Sequence, residues 1–421
     1  MPADQRSLTP AHVHEFVRRT SFGPGDAVPK GPGLVGIELE LLTRPVAEPL
    51  CRPDVDVLLD VAATTALPGQ AAVSLEPGGQ IEISSRPLPG AGAAIEATAA
   101  DLDALRSTLA AAGVETVAVG LDPARPHRRL VVGPRYDAMQ AYFDGRGAAG
   151  RAMMCGTASV QVNVDLGDAS SIPRRWRLAH AVGPMLVAAF ANSPLAHGRP
   201  TGARSSRRQV WEALDRTRSA PVADARAASS LTPADIWSRY ALAADVMLIR
   251  TAPSRFEPQP GGLPFGAWMA DGHELGYPTL DDFAYHLTTL FPPVRPKGWL
   301  ELRMIDSVPD PWWRVAVAVA VCMLDDPAAF DVAELACRPV AHCWAEAAAH
   351  GLAHPALASA ARTCFGAALE AMPRLGVDTG TVEATSAFVE RYVDRGRTLA
   401  DDLLDAWTAG AEPDYVAAAS G

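Results

Sequence analysis

The chain has 421 residues, of which 48% are hydrophobic and 20% charged, and its formal net charge is −11. The length allows one large hydrophobic core or two modest ones, and the composition is typical of a soluble globular protein rather than a disordered or membrane-spanning one. Nucleic-acid binding requires a clustered basic surface, so the acidic balance argues against a nucleic-acid partner.

No segment that would direct the chain out of the cytoplasm is visible in the sequence. The first thirty residues contain no apolar stretch typical of a secretion signal. The longest apolar run, residues 315–324, is about half the length needed to cross a bilayer. The six cysteines form no CxxC pair, which fits reduced thiols. We therefore expect a cytoplasmic protein without a membrane partner.

In chain order, residues 1–33 form a polar N-terminal segment rich in Pro and Gly, with a helical pattern near residues 10–19. Extended stretches follow, and in them apolar and polar residues tend to alternate, as in strands with one buried face. They cover residues 34–42, 73–85 with a turn at 77–79, 158–166 and 299–306. Helical patterns lie between and after them, at residues 54–66, 92–113, 172–191, 232–250, 279–290, 311–324, 327–350, 354–372 and 380–408.

Strands spread over so much of the chain predict one antiparallel sheet built from distant segments, with helices covering its apolar face. We therefore predict an α+β domain over residues 34–310. Residues 311–421 carry only helical patterns, and we expect them to form a C-terminal helical layer packed on that domain.

The polar faces of the predicted strands carry carboxylates where Thr or Lys would be more common. Carboxylates two residues apart on one face lie about 7 Å apart, and in a shared cleft their repulsion requires cations. Mg²⁺ prefers oxygen ligands and commonly bridges carboxylates and phosphates. Any single glutamate here fits an ordinary solvated position, but the set favours a metal-binding floor, consisting of Glu38, Glu40, Glu82 and Glu301 with Glu76 at a neighbouring turn.

Gln161, Asn163 and Arg303 lie on the same kind of face as these glutamates. Cross-strand hydrogen bonding is an equally common use of such residues. Their shared direction nevertheless favours the floor of a cleft.

Familiar nucleotide and catalytic motifs do not account for this polar face. Residues 31–36 match GxGxxG by letters, but they enter a strand instead of opening a helix after one. No Walker A, GxSxG or HExxH sequence occurs. If ATP is used, metal and arginine must therefore hold its phosphates.

Two further expectations concern helical segments. A run of arginines usually lies on a solvated helix face, so we expect Arg204 and Arg207 to face solvent. His286 lies in a helical pattern, where a buried structural histidine is more common than a ligand or a base.

Several of these segments together resemble a known family. The sequence reads EPGGQIEIS at 76–84, VQVN at 160–163 and LELR at 300–303. These motifs resemble the plant-type and actinobacterial branch of the glutamate–cysteine ligase family. The matching segments span most of residues 34–306 and comprise residues 37–40, 75–84, 153–154, 157–165 and 286–306.

The resemblance implies a fold akin to glutamine synthetase and guanidino kinases, in which an antiparallel sheet curves into a funnel with helices on its outer face. It implies metal-binding positions at Glu38, Glu40, Glu76, Glu82 and Glu301. It implies catalytic roles for Glu301 and for Arg303, which would face phosphate. It implies substrate-side positions at Thr157, Gln161, Asn163 and Arg218, the last through a diverged W…DxxR segment that includes Trp211 and Asp215.

The resemblance further implies ATP-dependent ligation of the γ-carboxylate of glutamate to the amine of cysteine through γ-glutamyl phosphate, with Mg²⁺ or Mn²⁺ as cofactor. The product would be γ-glutamylcysteine for ergothioneine biosynthesis. Two alternatives stay open: a ligase of the same fold that uses another amine, and a relative that binds metal or nucleotide without turnover. The five glutamates and Arg303 argue against the second alternative.

Overall fold

The computed structural model describes residues 8–23, 32–222 and 230–410. Parts of the predicted N-terminal segment, 1–7 and 24–31, and the end of the predicted C-terminal layer, 411–421, lie outside the described residues. The strands are β1 Leu34–Pro45, β2 Ala72–Leu75, β3 Ile81–Ser84, β4 Leu88–Pro89, β5 Val114–Val117, β6 Ser159–Asp165, β7 Leu195–Ala196, β8 Arg199–Pro200, β9 Leu248–Ala252, β10 Arg255–Pro258, β11 Val294–Pro296 and β12 Trp299–Asp306.

Helices surround these strands and follow them. They are α1 Pro10–Thr20, α2 Val55–Thr64, α3 Gly90–Ala111, α4 Pro134–Asp144, α5 Ala149–Gly156, α6 Ile172–Ala181, α7 Gly183–Ala189, α8 Ser206–Glu212, α9 Arg216–Ser219, α10 Pro233–Ala243, α11 Phe265–Asp271, α12 Leu280–Leu287, α13 Trp312–Asp325, α14 Pro327–Cys337, α15 Trp344–His350, α16 Pro355–Ala371, α17 Thr379–Phe388 and α18 Leu399–Thr408.

Antiparallel pairing joins strands from distant parts of the chain into one open sheet. The strand order is β11-β12-β6-β1-β3-β2, and β4 and β5 also pair with β1. The register places Glu40 opposite Glu82, and Glu301 opposite Asn163. Directly opposed residues share one face of a sheet, so the register gathers polar side chains on one face. The predicted α+β class with an antiparallel sheet is confirmed.

The other face of the sheet belongs to the hydrophobic core. In β1, Val35, Ile37, Leu39 and Leu41 are at most 3% exposed, as their alternation predicts. Helices α3, α6 and α13 pack against strands of the sheet. Because α13 is buried on nearly all sides, the helices after residue 310 and the sheet share one core. Among the described residues, no helix combines the length and the apolar character needed to span a membrane.

Strand β12 departs from simple alternation. Alternation predicts Ile305 on the polar face beside Arg303, but Ile305 is fully buried in the core. The pairing of β12 with β6 shifts register between Leu302 and Ile305, which turns the later residues over. As a result Asp306 accepts hydrogen bonds from the backbone N–H of Asn192 and from buried serine hydroxyls.

The sequence patterns missed some helices and merged others. Helices α4 and α5 were not predicted, and the pattern at 172–191 divides into α6 and α7. The turn predicted at 77–79 is present between β2 and β3. A Cβ atom at Gly78 would lie 2.3 Å from the Cys155 carbonyl oxygen, so this turn packs backbone to backbone against the end of α5.

Candidate active site

A cavity of about 300 Å³ lies over the polar face of the sheet. Strands β1, β3, β6 and β12 supply acidic and amide side chains, and helices α4, α5 and α8 supply apolar ones. The described residues that line it include Glu38, Glu40, Glu76, Glu82, Arg135, Tyr136, Met139, Met153, Met154, Thr157, Gln161, Trp211, Thr288, Phe291, Arg295, Lys297, Glu301 and Arg303.

Three glutamates in this cavity, Glu40, Glu76 and Glu82, form a carboxylate triad. Each offers a carboxylate oxygen, and these three oxygens lie within 4.8 Å of one another. Glu40 and Glu82 are cross-strand partners, and Glu76 follows β2 at the turn. Glu40 accepts hydrogen bonds from Ser159 at 2.8 Å and Gln161 at 2.8 Å. The triad therefore concentrates negative charge at one point of the floor.

The electrostatic environment of the carboxylate triad favours a bound cation. Burial and mutual repulsion raise the pKa of Glu76 to about 8, and burial also raises the pKa of Glu40 and of Glu82 above the usual range. Buried carboxylates of this kind require a cation to remain ionised together. Clustered carboxylate oxygens are the donors that hard divalent cations prefer. The triad therefore fits a divalent cation.

Glu301 has the opposite electrostatic environment. It is fully buried, and its carboxylate accepts hydrogen bonds from Arg295 at 2.6 and 3.1 Å, from Lys297 at 3.1 Å and from Arg303 at 3.0 Å. Burial alone would raise the pKa of Glu301, but the charges of Arg295 and Arg303 lower it far below the usual range. Glu301 is therefore ionised and holds the positively charged side chains of Arg295, Lys297 and Arg303. Its predicted role as a metal ligand stays a prediction.

Arg303 lies between Glu301 and the carboxylate triad. Its Nη1 donates to Gln161 Oε1 at 2.6 Å as well as to Glu301. Burial would lower the pKa of Arg303, but Glu301 and the neighbouring glutamates Glu38 and Glu40 raise it, so the guanidinium stays charged. Its Nε is buried and has no hydrogen-bond acceptor among the described residues. The guanidinium is therefore fixed in position with hydrogen-bonding capacity left over.

A hydrogen bond joins Glu38 and Asn163 on the polar face of the sheet. Asn163 Nδ2 donates to Glu38 at 3.0 Å, and Trp299 Nε1 donates to Asn163 Oδ1 at 2.9 Å. Burial raises the pKa of Glu38, and the charges of Glu301 and Glu82 raise it further. Glu38 lines the cavity, whereas Asn163 supports it through this hydrogen bond.

An apolar wall completes the cavity. It consists of Tyr136 and Met139 on α4, Met153 and Met154 on α5, Trp211 on α8 and Phe291 after α12. Thr157 follows α5, and its hydroxyl donates to the Met153 carbonyl at 2.7 Å. The α4 part of this wall was not predicted, because residues 134–144 show little separation of apolar and polar faces. For the α5 part of the wall, the adjacent Met153 and Met154 were the available signal.

The structure does not bring Arg218 into the cavity. Arg218 is fully buried and donates to Asp215 at 2.9 Å, to the Thr289 carbonyl at 2.8 Å and to the Tyr142 hydroxyl at 2.9 Å. Its guanidinium holds the chain around α9 together. Of the weak W…DxxR match, only Trp211 lines the cavity, so this geometry does not support a substrate contact by Arg218.

The expectations for the other arginines and for the histidine have mixed outcomes. Arg207 is 3% exposed and donates to the Arg303 carbonyl at 2.8 Å, so its expected solvent exposure was wrong. Arg204 is half-buried and pairs with Asp401 at 2.6 Å. His286 is buried in the core, as expected for a structural residue, and its Nε2 lies 2.9 Å from the Ala241 carbonyl oxygen.

Comparison with known proteins agrees with this geometry. A family model described as glutamate-cysteine ligase family 2 (GCS2) matches residues 34–418. The chain is 43% identical over 379 residues to glutamate–cysteine ligase EgtA of Mycolicibacterium smegmatis, covering 89% of this chain and 87% of that protein. It is 42% identical over 385 residues to EgtA of Mycobacterium tuberculosis, covering 90% and 87%.

A plant enzyme is also similar. The chloroplastic glutamate–cysteine ligase of Nicotiana tabacum is 32% identical over 259 residues, which is 60% of this chain and 48% of that enzyme. The family match covers the strands that carry the glutamates and the helices that cover the sheet. The chain therefore belongs to glutamate-cysteine ligase family 2.

Proposed function

We propose that the chain catalyses the ATP-dependent ligation of the γ-carboxylate of glutamate to the amine of cysteine. The observation that carries this proposal is one cavity that holds the carboxylate triad of Glu40, Glu76 and Glu82 beside the Glu301–Arg303 pair. The triad provides a place for a cation, and Arg303 provides a fixed positive charge. Together they suit transfer of a phosphoryl group between ATP and a carboxylate.

The carboxylate triad would hold a divalent cation, and we propose Mg²⁺ there, with Glu38 and Glu301 as further predicted ligands. When bound, Mg²⁺ neutralises phosphate charge and orients the reacting oxygens. Ser159 and Gln161 hold Glu40 in place through hydrogen bonds, so the triad is positioned before substrate arrives.

We propose that Arg303 stabilises the negative charge that develops on the transferred phosphoryl group. A preorganised donor stabilises such charge without reorganisation. Glu301 keeps Arg303 in place, and Gln161 donates to Glu40 while accepting from Arg303. Gln161 thus fixes the spacing between the cation site and the guanidinium. Thr157 and Asn163 remain proposed substrate-side positions.

The reaction needs no nucleophile from the protein. Among the described residues that line the cavity there is no cysteine, serine or histidine. We therefore propose direct attack of the glutamate γ-carboxylate on the γ-phosphorus, with ADP leaving. The amine of cysteine then displaces phosphate from the acyl phosphate. The apolar wall of the cavity limits water that would hydrolyse this intermediate.

The proposed pathway is based on the relatives of the chain. We propose that the product, γ-glutamylcysteine, serves ergothioneine biosynthesis in the cytoplasm, and the identity to the two EgtA proteins supports this pathway. We further propose that residues 34–310 form the catalytic domain with residues 311–421 as a helical layer on it. The sheet would curve as the floor of a funnel of the glutamine synthetase and guanidino kinase type.

The proposal is tested by measuring ADP and dipeptide formation from ATP, glutamate and each of several amines. We expect cysteine to support product formation and Glu40→Gln to abolish it. The matched control is Glu96→Gln, the same change at an exposed position on α3. Product formation with another amine but not with cysteine would instead support the alternative ligase, and binding of ATP without any ADP release would support the non-catalytic alternative.

A further inference from the structure

A second cavity, of only about 10 Å³, is formed where helix α8 packs against β12. Its polar lining comes from Arg207, Arg208 and Trp211 on α8 and from Arg303 on β12, and the other described residues that line it are apolar. A volume of about 10–15 Å³ accommodates one particle the size of a water molecule. The substrates of the proposed reaction are therefore too large for this cavity.

Four buried N–H donors belong to the side chains that line the second cavity. The Nε atoms of the three arginines and the indole Nε1 of Trp211 have no acceptor among the described residues. The outer nitrogens of the arginines do have partners, since Arg207 Nη2 donates to the Arg303 carbonyl at 2.8 Å and Arg208 Nη2 donates to Glu212 at 3.3 Å. Buried donors in proteins are nearly always paired, so four such groups around one small cavity indicate a missing acceptor.

The positive charge at the second cavity is incompletely balanced. Arg207 and Arg208 are only 3% and 4% exposed. Burial lowers the pKa of Arg208 to about 10, against the opposing charge of Glu212. Burial also lowers the pKa of Arg207, although the charge of Asp306, 3.9 Å from Nη1, opposes this effect. Both guanidinium groups therefore lack part of the compensation that water would give them, and a negative ion would supply it.

Donors without acceptors favour an anion over a water molecule. A buried water accepts hydrogen bonds but must also donate its own two protons, and the described side chains that line the second cavity contain no oxygen atom to receive them. A monoatomic anion accepts from every direction and donates nothing. We propose that the second cavity binds a monoatomic monovalent anion of the chloride class through the four N–H groups.

This anion site is separate from the proposed substrates but adjoins the proposed chemistry. Arg303 lines both cavities. The anion would hold the guanidinium at Nε, while Glu301 holds it at Nη1. The two negative partners would together fix the orientation of Arg303.

The test measures thermal unfolding of the metal-free protein when sodium chloride replaces sodium gluconate at 0.2 M and equal ionic strength. Gluconate is too large for the second cavity, and general salt effects are common to all variants. Arg208→Gln removes one donor and its charge from the second cavity without changing a residue of the first. An ion that binds only the folded state raises its unfolding temperature. We expect the change caused by chloride to be at least about 2 °C more favourable in the wild type than in Arg208→Gln.

The matched control is Arg216→Gln, the same change at an exposed position on α9, which should respond like the wild type. An equal response of Arg208→Gln and the wild type would leave a buried water as the occupant and overturn the inference.

A second variant keeps the test valid if Arg208→Gln does not fold. Trp211→Phe removes one donor but keeps an aromatic ring, so it should lose at least half of the chloride response. Trp237→Phe is its control, because Trp237 also has a buried indole N–H without an acceptor among the described residues but does not line the second cavity. A loss in Trp211→Phe with a full response in folded Arg208→Gln would place the anion in the first cavity, which Trp211 also lines, and would overturn the inference.

The outcome is separable from that of the ligase assay. The unfolding measurements use no ATP, glutamate, cysteine or divalent cation, so they test the anion site even if the wild-type protein forms no γ-glutamylcysteine. An active ligase whose variants all respond equally to chloride would show that only the anion site is wrong.

Discussion

Glu40 on β1 stands directly opposite Glu82 on β3, so two carboxylates that repel each other share the polar face of the sheet. Glu76 joins them from the adjoining turn. The pKa values of all three carboxyl groups are raised, because burial and the neighbouring carboxylates disfavour their charged forms. The metal-free protein therefore carries a local electrostatic penalty that a bound divalent cation would remove.

The first prediction concerns Glu76→Gln. The change removes one of the three repelling charges with little change in size, so the metal-free variant should unfold at a higher temperature than the wild type. Divalent-cation affinity should fall by at least about tenfold, the lower range for damaged metal sites. Thermal unfolding at pH 8 with EDTA and with Mg²⁺ measures both effects. Equal stabilisation of variant and wild type by Mg²⁺ would remove Glu76 from the metal site.

Glu301→Gln should have the opposite effect on stability. Here the lost charge leaves Arg295, Lys297 and Arg303 without their common partner. Breaking a buried ion pair on one side costs about 3–5 kcal/mol, so the free energy of unfolding should fall as activity is lost. Urea denaturation in EDTA is the measurement. A variant as stable as the Glu96→Gln control would show that these three basic side chains find other partners.

Arg303→Lys tests the guanidinium itself. Lysine keeps the positive charge but lacks the planar guanidinium that contacts both Gln161 and Glu301. It therefore cannot make both contacts and still direct a further N–H toward phosphate. We expect kcat to fall by about 100-fold or more, a typical cost of losing a transition-state donor, with a smaller change in the KM for ATP. Arg395→Lys, an exposed matched change, serves as control. A rise in KM at constant kcat would assign Arg303 to ground-state binding.

His286 predicts a defined pH dependence of stability. Burial and, to a smaller extent, the charge of Arg218 lower the pKa of His286 from its usual 6.5 to about 3, against the opposing effects of the hydrogen bond to Ala241 and the charge of Asp215. Because the folded pKa lies below the unfolded one, stability is present above about pH 6.5 and is lost as pH falls toward 3. Linkage gives a loss of about 2 kcal/mol between pH 7 and pH 5 from this residue.

The variant His286→Gln should lack that contribution. Its free energy of unfolding should depend less on pH between 7 and 5 than that of the wild type, whatever its absolute stability. His350→Gln, the same change at an exposed position, should keep the wild-type dependence. Identical pH dependence in His286→Gln and the wild type would mean that His286 does not stay neutral in the core.

Acceptor choice should follow the apolar wall of the first cavity. Met139, Met153 and Met154 can pack against a small thiol or a methyl group, and they offer no partner for a hydroxyl. We expect 2-aminobutyrate to remain an acceptor and serine to be poor, with discrimination of about 1–3 kcal/mol. ADP release with each amine at saturating glutamate measures this. Serine equal to cysteine, or a polyamine better than both, would favour the alternative ligase.

The side chains on the floor of the cavity could be predicted from the sequence. Alternation in β1 and β6 identified which side chains share the polar face, because a period of two leaves little choice once one face is buried. The same logic failed at Ile305, where a shift in pairing cannot be seen in a single strand. The α+β class followed from the same strands, and the C-terminal helices from their apolar spacing.

The roof of the site was harder to predict. Helix α4 separates apolar and polar residues poorly, because cavity-lining and core-facing side chains occupy different sides of it. Arg207 and Arg218 lie in a run of charges that normally indicates solvent, yet both are buried by partners distant in the chain. Such partners depend on tertiary packing, which local patterns do not encode.

The contact between Gly78 and Cys155 links two parts of the chemistry. The turn that carries Glu76 rests on the end of α5, with no room for a side chain between their backbones. Gln80 strengthens the junction, since its Nε2 donates to the Thr157 carbonyl at 2.9 Å. A cation that draws Glu76 inward would therefore also move the methionines of α5. If the triad holds the cation and α5 contacts the acceptor, as proposed, metal loading and acceptor recognition should each alter the affinity for the other.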